Sequence, residues 1–236
     1  MAITVNGVTG FFSSLVDLQS FPLFCAYMLM ILLSSLWQRI APPLSLRPIL
    51  VVFNFVCSAV SGYTMIGFTY GVLNCTHIYS MESDSNLRST FWIYWLTKNF
   101  ELLDTVWMIL RHKNRQISFL HIYHHGSMLL LSDYAYQYTP WAPIAFFLAM
   151  NSFVHVVLYY YYGMAALNPQ NPPSWKKRLT ELQILQFAIG CCFSTCGYLY
   201  HGFCIYSIFY GITMAGLFSN FYYQAYFRKR SSKKDA

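Results

Sequence analysis

Apolar residues run through this chain in stretches of about 20, the length that crosses a hydrocarbon core of roughly 30 Å. They fall near residues 21–40, 48–71, 90–110, 116–133, 141–162, 182–200 and 204–227, which predicts seven membrane helices. The segment ahead of the first span carries Asp17 and no basic residue before an apolar core. It reads as a short amphipathic lead into that span, not as a cleavable signal. The longest connections, 72–89 and 163–181, could not bury cores of their own. The second contains "NPQNPPSWKKR", whose prolines suit an ordered, non-helical turn. With no internal repeat and no low-complexity stretch, residues 1–236 are expected to form a single all-α integral membrane domain.

Composition agrees, because 56% of the 236 residues are hydrophobic and only 10% are charged, against about 25% charged in soluble domains. Cations mark the orientation, since loops rich in Lys and Arg stay on the cytosolic side. Arg39 and Arg47 follow the first span, Arg111, Lys113 and Arg115 the third, Lys176, Lys177 and Arg178 the fifth, and Arg228, Lys229, Arg230, Lys233 and Lys234 form the tail. These occupy alternate connections, which places the N-terminus in the lumen and the C-terminus in the cytosol. The net charge of +7 is thus a topology signal, and it does not argue for nucleic acid as a partner.

Polar residues inside the spans carry the chemical signal, because each is costly in lipid. "KNFELLDT" sets Lys98, Glu101, Asp104 and Thr105 on one helical stripe of the third span. "FLHIYHHGS" sets His121, His124 and His125 at i, i+3 and i+4 in the fourth. "NSFVHVVLYYYYG" aligns Asn151, His155, Tyr159 and Tyr162 in the fifth, and "TELQILQF" adds Thr180, Gln183 and Gln186 at the start of the sixth. All four clusters lie in the half of the bundle that the cations mark as cytosolic. A stripe such as Lys98 with Glu101, or Glu101 with Thr105, is also what a helix–helix seam would use. Three histidines on one face near a fourth point further, since imidazole serves as nucleophile, as general base and as metal ligand. Clusters of the HxxHH form occur in membrane di-iron enzymes too, but those need several histidine boxes, whereas this chain has seven histidines in all and no HxxxH. No metal is assigned. Seven-helix receptors and transporters are poorer fits, because the last span holds no lysine and neither repeats nor midplane polar clusters are present.

In order and spacing the four clusters resemble the signature boxes of the ELO family of very-long-chain fatty acid elongases, KxxExxDT, HxxHH, HxxMYxYY and TxxQxxQ. The likeness covers roughly residues 90–190, with Leu158 standing where the third box usually has Met. The forms "LHIYHH" and "NSFVHVVLYYYYG" are closer to those of polyunsaturated-acyl elongases. The resemblance implies six helices ringing an acyl tunnel with one peripheral helix, in the endoplasmic reticulum membrane. It implies condensation of a long acyl-CoA with malonyl-CoA, without a cofactor, alongside the other enzymes of the elongation cycle. Carried over onto matching positions, His124 is expected to carry the acyl group, with His155 and His125 as acid/base or oxyanion partners and His121 within the same catalytic set. Asn151 is a donor, and Asp104 and Glu101 orient imidazoles. Lys98, Tyr159, Tyr162, Gln183 and Gln186 are expected around the substrate, with Lys176, Lys177, Arg178, Arg111, Lys113 and Arg115 near the coenzyme A phosphates. Trp92, Tyr94 and Phe147 are candidate tunnel lining.

Two expectations concern the ends of the bundle. Cys75 and Cys204 both fall at the lumenal level, where thiols that meet are oxidised, so a bridge between them is expected. Lys233 and Lys234, at the third and fourth positions from the end in "KRSSKKDA", resemble a dilysine retrieval signal for the endoplasmic reticulum.

Overall fold

A computed structural model describes residues 13–228, in which every regular element is helical. Beyond a short turn at 13–16, the helices are α1 (Phe21–Ile40), α2 (Arg47–Asn74), α3 (Ser85–Glu101), α4 (Leu103–Leu110), α5 (Phe119–Tyr138), α6 (Ala142–Leu167), α7 (Lys176–His201) and α8 (Tyr206–Tyr223). A 3₁₀ turn at Asn114–Gln116 precedes α5, and a π turn at Gln224–Arg228 follows α8. Four of the helices, α1, α2, α6 and α7, are long and apolar enough to cross a membrane. Leu32, Ile40 and Leu73 are 74%, 83% and 78% exposed, a pattern that suits lipid and would be a liability in water. The chain is a multi-pass membrane protein.

Local chemistry starts and stops the helices near the predicted bounds. Proline lies in the first turn of α1, α2 and α6, where its missing N–H costs nothing. Asp84 caps α3 by accepting from the Leu87 backbone N–H, Ser118 caps α5 by accepting from that of His121, and Gly202 ends α7 with a φ of 73°. One predicted span departs from a single helix. Between α3 and α4 the ladder tightens around Leu102, where Leu102 N–H bonds Asn99 O at 3.3 Å and Thr105 N–H bonds Leu102 O at 3.1 Å. Such 3₁₀-type bonds bring positions i and i+3 into line, which keeps Lys98, Glu101 and Asp104 toward α6.

Packing radiates from α2 and α6, which lie along each other, with α3 on α2 and α5, and α7 on α8. The core is aromatic: Phe68 meets Phe91 and Tyr94 edge-on at 5.0 and 5.5 Å, beside Leu87, Ala135, Ala145 and Leu148. The approach of α2 to α3 depends on "GFTYG". A Cβ at Gly67 would stand 2.7 Å from Thr90 Oγ1, and one at Gly71 would stand 2.6 Å from Leu87 Cδ1. Gly67 and Gly71 are thus the small-residue pair that lets two helices touch in a membrane. Gly67→Val is expected to lower stability by about 1–3 kcal/mol, read as a fall in the unfolding temperature of the detergent-purified protein.

At the far end of α7 the predicted bridge is not formed. Cys75 and Cys204 are free thiols, and the Cys75 Sγ donates to Val72 O at 2.9 Å. The connection after α2 is tied to α7 by Tyr79 instead, whose ring stacks between His201 at 4.1 Å and Phe193 at 4.6 Å. Its hydroxyl also donates to Phe193 O at 3.3 Å. Lys233 and Lys234 lie outside the described residues.

Candidate active site

A cavity of about 600 Å³ opens among α2, α4, α5, α6, α7 and α8. Of the residues singled out in the sequence, it is lined by His121, His124, His125, Asn151, His155, Asp104, Tyr159, Tyr162, Gln183, Gln186, Lys176 and Arg115. The helical phase of each cluster explains why. Positions spaced three or four apart on α5 and α6 share a face, and those two faces meet across the cavity.

The imidazoles form a connected series. His155, from α6, lies 6.1 Å from His124, from α5, with the rings within 28° of parallel. His124 lies 5.4 Å from His125 at 86°, and His125 lies 4.3 Å from His121. Behind His155 stands a buried ion pair: Lys98 Nζ is 3.0 and 2.9 Å from the two carboxylate oxygens of Glu101. The His155 Nδ1 is 3.2 Å from Lys98 Nζ and 3.2 Å from Glu101 Oε1. An ammonium only donates and a carboxylate only accepts, so the pair holds Nδ1 in either tautomer. Nε2 is left without a hydrogen-bond partner among the described residues. Lys98 and Glu101 therefore serve the site from behind, without lining the cavity.

Asp104 does not orient an imidazole. Its Oδ2 accepts a hydrogen bond of 2.7 Å from the Tyr159 hydroxyl, because the tight turn at Leu102 turns it toward α6. Thr105, one residue on, faces α5 and holds His121 Nε2 at 2.8 Å. Tyr94 donates to Asn151 Oδ1 at 2.7 Å, which leaves the amide hydrogens of Asn151 for the cavity it lines. Among the described residues no three His, Cys, Asp or Glu side chains converge as a metal shell would require.

The cationic rim is only partly as expected. Arg111, Arg115 and Lys176 line the cavity and Lys113 does not, whereas Lys177 and Arg178 turn to Glu181 at 3.7 and 2.9 Å. An acidic residue one helical turn on offers a nearer partner than the cavity mouth. Trp92 is 45% exposed and does not line this cavity. Tyr94 belongs to the aromatic core, and Phe147 packs against Phe146 and Phe193 away from the site. Sequence reasoning missed Trp107, whose buried Nε1 has no hydrogen-bond partner among the described residues and which lines the cavity. It lies three residues after Asp104, so the stripe that begins at Lys98 extends to it. Phe218 of α8, 6.4 Å from His124, had no such signal. A second, apolar cavity of about 450 Å³ between α2, α6 and α7 shares Val154 and Gln186 with the first as a common wall. The Gln186 Oε1 there is buried without a partner among the described residues.

The pattern of the whole chain settles its kinship, since the GNS1/SUR4 family profile matches residues 17–234. The chain belongs to the ELO family. It is 34% identical over 221 residues to human very long chain fatty acid elongase 5, covering 88% of this chain and 74% of the human protein. It is 34% identical over 223 residues to elongase 5 of Tachysurus fulvidraco, covering 89% of this chain and 76% of the fish protein. Mouse very long chain fatty acid elongase 2 is 33% identical over 232 residues, with 92% of this chain and 79% of the mouse protein covered.

Proposed function

We propose that this ELO-family chain is a condensing enzyme of fatty acid elongation, a very-long-chain 3-oxoacyl-CoA synthase that joins long-chain acyl-CoA to malonyl-CoA. The observation that carries the reading is the facing of His124 and His155 inside a cavity rimmed by Arg111, Arg115 and Lys176. The names of the relatives supply the acyl class, very long chain fatty acids, and the forms "LHIYHH" and "NSFVHVVLYYYYG" favour polyunsaturated chains.

The chemistry balances on this chain's own residues, with no cofactor. His124 Nε2 attacks the acyl thioester, the C–S bond breaks, and free CoA leaves while the acyl group rests on the imidazole. Malonyl-CoA then loses carbon dioxide, and the resulting enolate attacks the acyl carbon, giving a 3-ketoacyl-CoA two carbons longer and returning the imidazole. His155 and His125 exchange protons and, with the Asn151 amide, stabilise the developing oxyanion. Glu101 and Lys98 hold His155, while Asp104 holds Tyr159 at the cavity wall. Tyr162, Gln183 and Gln186 contact the substrate along the cavity wall. Arg115 and Lys176 bind phosphate, with Lys177 and Arg178 adding to the potential at the rim.

On this reading the protein is one membrane domain of seven spans, α3 and α4 counting as one. Six spans ring an acyl tunnel, and α1 is the peripheral one. Its N-terminus is lumenal and its C-terminus cytosolic, in the endoplasmic reticulum. There it would hand its product to the reductases and dehydratase that complete an elongation cycle.

The test is direct. Microsomes from yeast expressing the chain are given labelled malonyl-CoA and a panel of acyl-CoAs, and the products are separated by chain length. Products extended by two carbons, above the host background, are expected; their absence for every acyl chain would sink the reading. In the same assay Arg115→Ala with Lys176→Ala is expected to raise KM for the CoA substrates by about tenfold and to leave kcat nearly unchanged, as loss of uniform binding does.

A further inference from the structure

Tyr27 is the residue that α1 buries, and it points toward the histidines. Its ring sits against Leu102 and Leu129, with Phe24 and Ile122 around them. Its hydroxyl lies 3.1 Å from Thr105 Oγ1, which lies 2.8 Å from His121 Nε2. Tyr27 is 3% exposed and Thr105 0%, so the two hydroxyls have each other and the imidazole as partners. We propose that Tyr27 is a positioning residue for the condensation, holding His121 in one tautomer through Thr105. The inference rests on the function proposed above.

The reasoning is a proton count. The Thr105 hydroxyl carries a single hydrogen. A phenol is the better donor, so Tyr27 donates to Thr105, and the threonine hydrogen is then free to point at His121 Nε2. That nitrogen must be bare to accept it, and the proton of the neutral ring sits on Nδ1. Without the phenol nothing holds the Thr105 rotor, so its hydrogen can turn to a carbonyl of the preceding helical turn while its oxygen accepts from Nε2–H. Both tautomers then become available. Because the His121 ring lies 4.3 Å from His125, and His125 lies 5.4 Å from His124, the tautomer of His121 sets what the series of imidazoles presents to the cavity. A helix at the edge of the bundle thereby takes part in the site.

Steady-state condensation by the purified full-length protein, with acyl-CoA and malonyl-CoA varied separately, tests this. Tyr27→Phe keeps the ring and its packing and removes the hydroxyl. It is expected to lower kcat about tenfold, the usual size of an effect exerted through a neighbour, with both KM values nearly unchanged. Ser20→Ala removes a different tie of α1, the 2.6 Å bond accepted from Trp95 Nε1, and is expected to keep the wild-type kcat. In a His121→Gln background, Tyr27→Phe is expected to add no further loss. Wild-type kcat in Tyr27→Phe, an equal loss in Ser20→Ala, or an additive loss in the double variant would each overturn the relay. A wild-type protein that makes no product would instead overturn the proposed function, so the two failures are distinguishable.

Discussion

His124→Ala and His155→Ala are each expected to abolish condensation, a loss of about 10³-fold or more, while the protein stays folded and in the membrane. The two rings face each other at 6.1 Å from different helices, so each removes one side of the reacting space. The variants should differ in the first half-reaction. Given acyl-CoA without malonyl-CoA, the wild type and His155→Ala are expected to gain the mass of an acyl group on the peptide bearing His124, and His124→Ala is not. Near-normal product from His124→Ala would exclude acyl transfer by that histidine, and near-normal product from His155→Ala would exclude the role given to the facing imidazole. Neither substitution is expected to be severe for folding, because neither ring carries a helix–helix hydrogen bond on which the core depends, apart from the contact of His155 with the Lys98–Glu101 pair.

That pair is the source of the largest expected effect on stability. Lys98 is 4% exposed and Glu101 1%, and both carboxylate oxygens are engaged by the ammonium. Glu101→Gln leaves a buried cation without its counter-charge, which costs about 3–5 kcal/mol. Lys98→Met with Glu101→Gln removes both charges and is expected to recover most of that loss. Condensation should remain low in the double variant, since His155 Nδ1 then meets a neutral amide in place of the ion pair that held it. Thermal unfolding in detergent, followed beside the product assay, separates the two effects. A Glu101→Gln protein as stable as the wild type would mean that the two side chains are not an ion pair in the folded state.

What could be read beforehand and what could not divide along one physical line. Periodicity within a helix is written in the order of residues, so the shared face of His121, His124 and His125 and that of Asn151, His155 and Tyr159 were legible. So, to within a residue, were the helix starts expected near 21, 48 and 141, where Pro22, Pro48 and Pro143 lie in the first turn. Contacts between helices depend on rotation and tilt, which spacing along one helix does not encode. Asp104 was thus matched to an imidazole and is found on Tyr159. Lys177 and Arg178 were matched to a phosphate and are found on Glu181. The tight turn at Leu102 had no Gly or Pro to announce it. The Gly67 and Gly71 pair was in plain view, but its meaning depends on Thr90 and Leu87 standing opposite. Tyr27 gave no signal, being an aromatic residue in an apolar span, where packing is the ordinary reason for such a side chain.

The attachment of α1 has a geometric consequence. Its polar ties fall at Ser20, whose N–H reaches Asp133 Oδ2 at 2.7 Å; at Tyr27; and at Gln38, which donates to Ile109 O and Asn114 Oδ1 at 3.1 and 2.8 Å. The intervals are a heptad and then a hendecad. A heptad alone drifts by about 20° in one sense and a hendecad by about 20° in the other, so the sum closes on whole turns of a helix with about 3.6 residues per turn. The helix can therefore run straight beside the bundle, with no supercoil, and keep all three ties on one line. A single residue inserted between Tyr27 and Gln38 would swing one end by about 100° relative to the other, and the tie at Tyr27 and the tie at Gln38 could then no longer be made at once.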